Sequence, residues 1–346
     1  MTRNRFILGE SAGAPAPPSL SREELERLSL AIISEMARAY RPPPERRVTP
    51  ERVHQPAVPA GRPALEAFQL RLFAPGSGVE GLEHLDRCLE EMSRGHTILF
   101  LADHRGNLDV PSFNSLVRSA RPRYEPILDK LIYIAGRKLN ESSDFVNMFA
   151  EKYSRLVVVP RREFPPEITG PTPEEQIQRE EFEKEARRIN RAAFRAMEKL
   201  KREGHIFVLF PTGGRIKSGA HNQPVPETTS YLRTFDTAFL ISMEGNTLPP
   251  LERMEDERPI QTKVLYRIGP AIETEPFLNR LKQEHEALGT PSLPQGGGGR
   301  GTSPPRPPSP AGEGGRGGEV PDFDTFAVQR IMTMLANLRE TGAYEE

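Results

Sequence analysis

The sequence predicts an α/β protein with a mixed, largely parallel sheet flanked by helices, a small N-terminal helical region and a disordered Gly/Pro-rich insertion. Short apolar runs rich in β-branched residues alternate with segments of helical periodicity, and this alternation is typical of a sheet covered by helices on both faces. Residues 289–320 consist mostly of Gly, Pro, Ser and Arg. A segment of that composition buries too little apolar surface to offset its ordering entropy, so we expect it to be disordered.

The N-terminal part of the chain is predicted to be helical and then rich in proline. A capping box at Ser21 opens an amphipathic helix that extends to about Tyr40. A Pro-rich segment at 41–63 interrupts regular structure, and a second helix is predicted over 79–94. The first strand of the sheet follows at 97–101.

The rest of the chain alternates strands with helices. The strands are predicted at 131–135, 156–159, 206–210 and 261–268, and the helices at 145–153, 171–202 and 322–339. These elements divide the chain into an N-terminal helical region with its Pro-rich linker (1–63), an α/β domain (64–288), a disordered linker (289–320) and a C-terminal helix that packs on the α/β domain (321–346).

Composition limits the classes of function. The formal net charge of the 346 residues is −1, so no overall field favours nucleic acid, and an anion site must be local. The single Cys88 excludes an internal disulfide and a cysteine-based zinc site, and it is consistent with a reducing cytosol. A nucleophilic pair of Cys88 with His84 is kept as an alternative. No apolar run has the length of a signal-peptide core or of a membrane span, so we expect a cytoplasmic protein and leave open a peripheral contact with a membrane surface.

His104 and Asp109 form a His-x4-Asp pattern directly after the apolar run 97–101. An imidazole at the end of a strand, with a carboxylate a short distance along the chain, can act as a general base for a hydroxyl group. The carboxyl edge of an open α/β sheet is also where ligand crevices lie. The pattern therefore predicts a catalytic base, although a lone histidine in this place is often structural.

Four cations follow two other predicted strands: Arg161 and Arg162 after 156–159, and Arg215 and Lys217 after 206–210. A Gly213-Gly214 turn precedes the second pair, and its N–H groups could approach an anion or hold an oxyanion. Glu163 could lie between the first two cations and relieve their repulsion. Since all these strands would end at one sheet edge, the cations predict a site for a phosphorylated alcohol. The scattered His and acidic residues indicate no metal site.

The order and spacing of these blocks resemble the glycerolipid acyltransferase superfamily, whose members carry His-x4-Asp as the first of several blocks. The chain is most similar to the soluble, chloroplast-type glycerol-3-phosphate acyltransferases, which have a helical N-terminal domain ahead of an α/β domain. The resemblance spans about residues 82–272 and rests on the segments 104–109, 132–137, 156–162, 211–217 and 248–250. The chain departs from the family pattern at Thr212, at Glu163 and in the 289–320 insertion.

The resemblance implies transfer of a fatty acyl group from acyl-CoA or acyl carrier protein to a hydroxyl of glycerol 3-phosphate, in phospholipid biosynthesis and without a cofactor. It implies that His104 is the base, that Asp109 orients it, and that the four cations bind the phosphate. Two alternatives stay open. The acceptor could instead be 1-acylglycerol 3-phosphate (lysophosphatidic acid), or the chain could be a catalytically silent module that binds lipid or carrier protein.

Overall fold

The computed structural model describes residues 4–11, 13–15, 17–43, 45–165, 172–215, 224–251, 256–289 and 321–344. The strands are β1 (Arg5–Ile7), β2 (His54–Gln55), β3 (Gly78–Glu80), β4 (Ile98–Ala102), β5 (Leu131–Gly136), β6 (Arg155–Val158), β7 (Ile206–Leu209), β8 (Thr237–Glu244) and β9 (Leu265–Glu273). The α-helices are α1 (Arg22–Ala39), α2 (Arg62–Leu72), α3 (Leu82–Ser93), α4 (Asp109–Ala120), α5 (Glu125–Lys130), α6 (Arg137–Asn140), α7 (Asp144–Ala150), α8 (Pro173–Arg202), α9 (Glu227–Leu232), α10 (Thr274–Gly289) and α11 (Phe323–Thr341).

The strands of the described residues form one sheet in the order β1-β3-β9-β8-β4-β7-β5-β6-β2. The five neighbouring strands β8, β4, β7, β5 and β6 are parallel to one another, whereas β1, β9 and β2 pair antiparallel with β3, β8 and β6. The predicted α/β class, with a mixed and largely parallel sheet flanked by helices, is therefore confirmed.

Helices cover both faces of the sheet, and β4 shows why its sequence is continuously apolar. Phe100 packs into the core on one face with residues of α2, α3 and α4, and its neighbours Leu99 and Leu101 pack into the core on the other face with residues of α8, α10 and α11. All five residues of β4 are buried. A strand that is buried on both sides cannot alternate polar and apolar residues, and this is the usual state of a parallel sheet.

Helix boundaries follow their capping residues. Ser21 caps α1 with a complete capping box, as predicted, and Thr172 does the same for α8. Each cap satisfies N–H groups that the first helical turn leaves without an internal partner. Residue 171, where the sequence placed the start of α8, lies outside the described residues.

Several sequence predictions need correction. The helix predicted over 79–94 is a strand, β3, followed by α3, because Gly81 has a φ of +80° and turns the chain between them. The strand predicted at 261–268 lies later, as β9. Helices α2 and α10 and the strand β8 were not predicted. Helix α2 begins at Arg62, within the predicted Pro-rich segment, with proline in its first turn, where that residue is tolerated.

The predicted domain boundaries stay predictions, and so does disorder of the insertion, since residues 290–320 lie outside the described part of the chain. Strands β1 and β2, from the predicted N-terminal region, are edge strands of the common sheet. Helix α11, from the predicted C-terminal region, packs in the same core as β4 and α8. In the part of the chain that the structure describes, every helix is too short or too polar to cross a bilayer.

Candidate active site

Three loops meet at the carboxyl edge of the parallel strands. One follows β4 and contains His104, another follows β7 and contains Gly213 and Gly214, and a third follows β6 and contains Arg161 and Arg162. Strand β4 is paired with β7, and β5 lies between β7 and β6. Because parallel strands end at the same edge of a sheet, the topology brings together three loops that are far apart in the chain.

His104 and Asp109 form a hydrogen bond. The Nδ1 atom of His104 lies 3.0 Å from Oδ2 of Asp109. Asp109 is the first residue of α4, and its side chain is 5% exposed, whereas that of His104 is 21% exposed. Since an ionised carboxylate can only accept, the bond assigns the proton to Nδ1 and leaves Nε2 as the basic nitrogen.

Backbone groups hold Asp109 in place. Its Oδ2 atom also accepts hydrogen bonds from the N–H groups of Arg105 and Gly106, at 2.6 and 2.8 Å. The hydroxyl group of Tyr266 donates to the backbone oxygen of Asp109 at 3.0 Å. The carboxylate therefore receives backbone N–H groups and an imidazole, and among the described residues it forms no ion pair with lysine or arginine.

The ring of His104 is held from the side by Phe210, the residue that follows β7. The two rings are stacked, with centroids 4.3 Å apart and an interplanar angle of 22°. No described residue forms a hydrogen bond with Nε2. One ring nitrogen of His104 is thus bound to Asp109, and the other is available to a ligand. The stacked ring of Phe210 fixes the plane of the imidazole.

The glycine turn lies against Arg162. Gly213 has a φ of +60°, and its N–H group donates to the backbone oxygen of Phe210 at 2.8 Å, so this N–H is used within the turn. A Cβ atom on Gly214 would lie 2.9 Å from Nη1 of Arg162. The positive φ favours glycine at 213, and the absence of a side chain at 214 lets the guanidinium of Arg162 approach the backbone closely. The N–H of Gly214 forms no hydrogen bond with the described residues.

Arg215 is bound to a buried acid that the sequence analysis did not identify. Its Nη1 atom forms an ion pair with Oε1 of Glu257, whose side chain is 1% exposed. The other oxygen, Oε2, accepts a hydrogen bond from Nδ2 of Asn107 at 2.9 Å. Asn107 lies between His104 and Asp109 in the chain, so one carboxylate joins the base loop to the loop that follows β7.

The remaining predicted cations differ in their surroundings. Arg161 is largely exposed, and its Nε lies 3.8 Å from Glu227. Arg162 has no ion-pair partner among the described residues. Glu163 was expected to lie between these two arginines, and this prediction was wrong. Its side chain is buried instead, and its Oε2 accepts a hydrogen bond from Nε of Arg137 at 3.2 Å. Lys217 lies outside the described residues.

The alternative nucleophile Cys88 is not supported by its surroundings. Its side chain is fully buried in the core, and burial raises the pKa of the thiol well above its usual range. A thiol that stays protonated is a poor nucleophile.

Two residues of the site were not identified from the sequence: Phe210, which stacks on the base, and Glu257. The stacking of Phe210 on His104 had no signal, since Phe210 only looked like the last residue of an apolar strand. Glu257 stands in the charged run at 252–258, which looks like a solvated surface in the sequence. Glu257 could be identified only from the folded structure, where it forms an ion pair with Arg215.

No protein-family model matches the chain, and no curated protein matches it. Among solved structures, the chain is similar to the 1-acyl-sn-glycerophosphate acyltransferase PlsC from Thermotoga maritima, with 18% sequence identity and a TM-score of 0.37. The similarity covers 67% of this chain and 83% of that protein.

Proposed function

We propose that this protein is an acyltransferase that moves a fatty acyl group from an acyl thioester to a hydroxyl of glycerol 3-phosphate. The observation that carries the proposal is the pair of His104 and Asp109, which leaves Nε2 available at the sheet edge where the arginines of two other loops also lie. A base for a hydroxyl and cations for a phosphate are what an acceptor with both groups requires. The blocks that resemble the glycerolipid acyltransferases contain these same residues.

In the first step the base activates the acceptor. Nε2 of His104 takes the proton of the hydroxyl as its oxygen attacks the carbonyl carbon of the thioester. The negative charge of Asp109 stabilises the imidazolium that forms, and the bond to Nδ1 keeps the ring in the productive tautomer. Stacking on Phe210 keeps Nε2 directed at the acceptor.

In the second step the tetrahedral intermediate collapses. The carbon–sulfur bond breaks, the new ester is released, and the thiolate takes the proton from Nε2, so that His104 returns to its starting state. The oxyanion needs hydrogen-bond donors that are already in place. In the glycine turn, the N–H of Gly214 can supply one, whereas that of Gly213 is already donated to Phe210.

The phosphate of the acceptor would be bound by guanidinium groups. Arg162 lies against the glycine turn, and among the described residues it has no carboxylate partner. Arg215 offers a planar set of donors that suits phosphate oxygens. Arg161 and Lys217 are the further candidates from the sequence.

The test is release of free thiol by the purified protein. Acyl-CoA and acyl carrier protein loaded with the same acyl chain would each be offered with glycerol 3-phosphate, with lysophosphatidic acid, with glycerol, and without an acceptor. We expect thiol release that depends on glycerol 3-phosphate, together with a phosphorylated acyl-glycerol product. Release with lysophosphatidic acid alone would identify lysophosphatidic acid, rather than glycerol 3-phosphate, as the acceptor. If no donor gave acceptor-dependent release, the alternative of a catalytically silent binding module would be favoured.

A further inference from the structure

Glu257 lies where two parts of the candidate site meet. It accepts from Arg215 with one oxygen and from Asn107 with the other, and the backbone N–H of Leu251 lies 3.3 Å from its Oε1 atom. Its two side-chain partners come from the loop after β4 and the loop after β7. In the folded protein this carboxylate is therefore the direct link between the base loop and Arg215.

The burial of this acid is costly unless its partners are retained. A carboxylate that is 1% exposed loses nearly all its hydration, and it is tolerated only because an arginine and other donors replace the water. Arg215 is itself only 15% exposed. Since removing either partner would leave a buried charge, the position of the guanidinium is closely determined by the position of the carboxylate.

We propose that Glu257 is a positioning residue of the acceptor site: it fixes the guanidinium of Arg215 relative to the His104 loop, so that a phosphomonoester with a nearby hydroxyl reaches the cation and the base together. This inference rests on the proposed function and deepens it. The chemical class selected is an acceptor that carries its phosphate and its hydroxyl on one short carbon chain, because the link holds the two binding groups at a set separation.

The ion pair is compatible with phosphate binding. Glu257 engages Nη1 of a group that carries five N–H donors in a planar fork, so Arg215 can contact the carboxylate and a phosphate at the same time. The carboxylate also lowers the net positive charge at Arg215. Arg162 then supplies the main attraction for the phosphate, and Arg215 supplies its orientation.

The test replaces Glu257 with glutamine, which has nearly the same shape and no charge. In E257Q we expect kcat/KM for glycerol 3-phosphate to fall about 10- to 100-fold, because a displaced binding group misaligns the hydroxyl and the base. The KM for the acyl donor should change less than about twofold, and the preference for glycerol 3-phosphate over glycerol should fall with the acceptor kcat/KM. A purely structural role would not change this preference.

Glu91 offers a matched control. Its carboxylate is also buried and bound to two arginines, Arg87 and Arg94, at the opposite edge of the sheet. E91Q removes a similar buried charge, and we expect no change in acceptor preference, whatever its effect on melting temperature. An equal loss of preference in E91Q would overturn the inference.

A double-mutant cycle tests the route through Arg215. If Glu257 acts through Arg215, E257Q should cost little in an Arg215→Ala background, whereas its effect should add to that of Arg162→Ala. Additive effects of E257Q and Arg215→Ala would contradict the inference, and so would a lower acceptor KM in E257Q, because it would mean that the carboxylate competes with phosphate.

Failure of this inference can be distinguished from failure of the proposed function. If the wild-type protein shows no acceptor-dependent thiol release, the proposed function fails. If the wild type is active and E257Q matches it in acceptor kcat/KM, the positioning role alone is wrong. If E257Q does not fold, Asn107→Ala breaks the link from the other side, and unchanged acceptor kinetics in that variant would equally reject the inference.

Discussion

Two histidine–carboxylate pairs stand at the two ends of β4, and only one of them has the environment of a catalytic base. His96 lies just before the strand and its Nδ1 contacts Oε2 of Glu91, while His104 lies just after the strand and its Nδ1 contacts Asp109. Both carboxylates are buried and both histidines are partly exposed. The sequence spacing is the same in the two pairs, five residues in each case.

The pairs differ in what else the carboxylate binds. Glu91 forms ion pairs with Arg87 and Arg94, so its charge is already compensated by two guanidinium groups. Asp109 is held by backbone N–H groups and by Nδ1–H of His104, and among the described residues it forms no ion pair with lysine or arginine. A carboxylate that is oriented but not neutralised can stabilise an imidazolium during the reaction. The two His–acid contacts are alike, so it is the other partners of the acid that distinguish the pair we propose to be catalytic.

The largest effect should separate the two histidines. We expect His104→Ala to lower kcat by about 10^2- to 10^4-fold, because the general base is lost. The fold should be retained, since the ring is partly exposed and its removal leaves the core intact. The measurement is thiol release with glycerol 3-phosphate, with circular dichroism to confirm folding.

The control for this prediction is His96→Ala, which removes the same side chain from the other end of the strand. Its kcat should stay within about twofold of the wild type, because the opposite sheet edge lies away from the reacting groups. Near-normal turnover in a folded His104→Ala protein would reject the base assignment, and equal losses in the two variants would indicate a general effect on β4.

A smaller effect is expected from the orienting acid. Asp109→Asn should lower kcat by about 10^2-fold, the low end of what a general base contributes, because the imidazole stays in place. The loss arises because an amide can present its NH₂ group to Nδ1, favour the wrong tautomer and stabilise the imidazolium less. The corresponding change at the other pair, Glu91→Gln, should lower the melting temperature and leave kcat for the remaining folded enzyme near the wild-type value. If Asp109→Asn kept full turnover, Asp109 would only stabilise the loop.

These contrasts also show how far the sequence could predict the molecule. The α/β class, helix α1 and the strands that end at the site follow from apolar runs, periodicity and capping residues, all of which are local signals. The local pattern of His104 and Asp109 predicted a contact that the structure contains. Neither the stacking of Phe210 nor the role of Glu257 could be predicted, since both depend on which loops the sheet order brings together.

The helices and strands that were not predicted from the sequence also depend on contacts between distant parts of the chain. All seven residues at 237–243 of strand β8 are buried, yet they include Thr237 and Ser242, which weaken the apolar signal in the sequence. Helix α2 begins within a Pro-rich context that indicated an interruption. The helix predicted over 79–94 was wrong at its start, because β3 has only three residues and Gly81 alone separates it from the amphipathic helix α3. In each case tertiary packing, rather than local preference, decides the element.

A third buried carboxylate, that of Asp103, precedes His104 in the chain and affects stability. Asp103 is buried on the face of the sheet where α11 packs, and its Oδ2 accepts from Nη1 of Arg339 at 2.8 Å. Burial raises the pKa of this carboxyl above its usual range, and the charge of Arg339 opposes that rise. Like Glu91, and unlike Asp109, this acid is compensated by an arginine.

Removing that arginine should therefore destabilise the protein in a manner that depends on pH. We expect Arg339→Met to lower the free energy of unfolding by about 2 to 3 kcal/mol at pH 8, because it leaves an unpaired buried charge. The raised pKa means that the native state binds the proton more tightly than the unfolded chain, so stability is lost as pH rises from about 4 through the native pKa of Asp103. Without the arginine this pKa rises further, so the loss of unfolding free energy caused by Arg339→Met should be smaller at pH 5 than at pH 8.

Urea unfolding at both pH values measures this loss. The control is Arg330→Met on the same helix, because the exposed pair of Arg330 with Glu284 should contribute less than about 1 kcal/mol. A deficit that stayed constant with pH would mean that lost packing of the arginine side chain, rather than the charge of Asp103, accounts for the destabilisation.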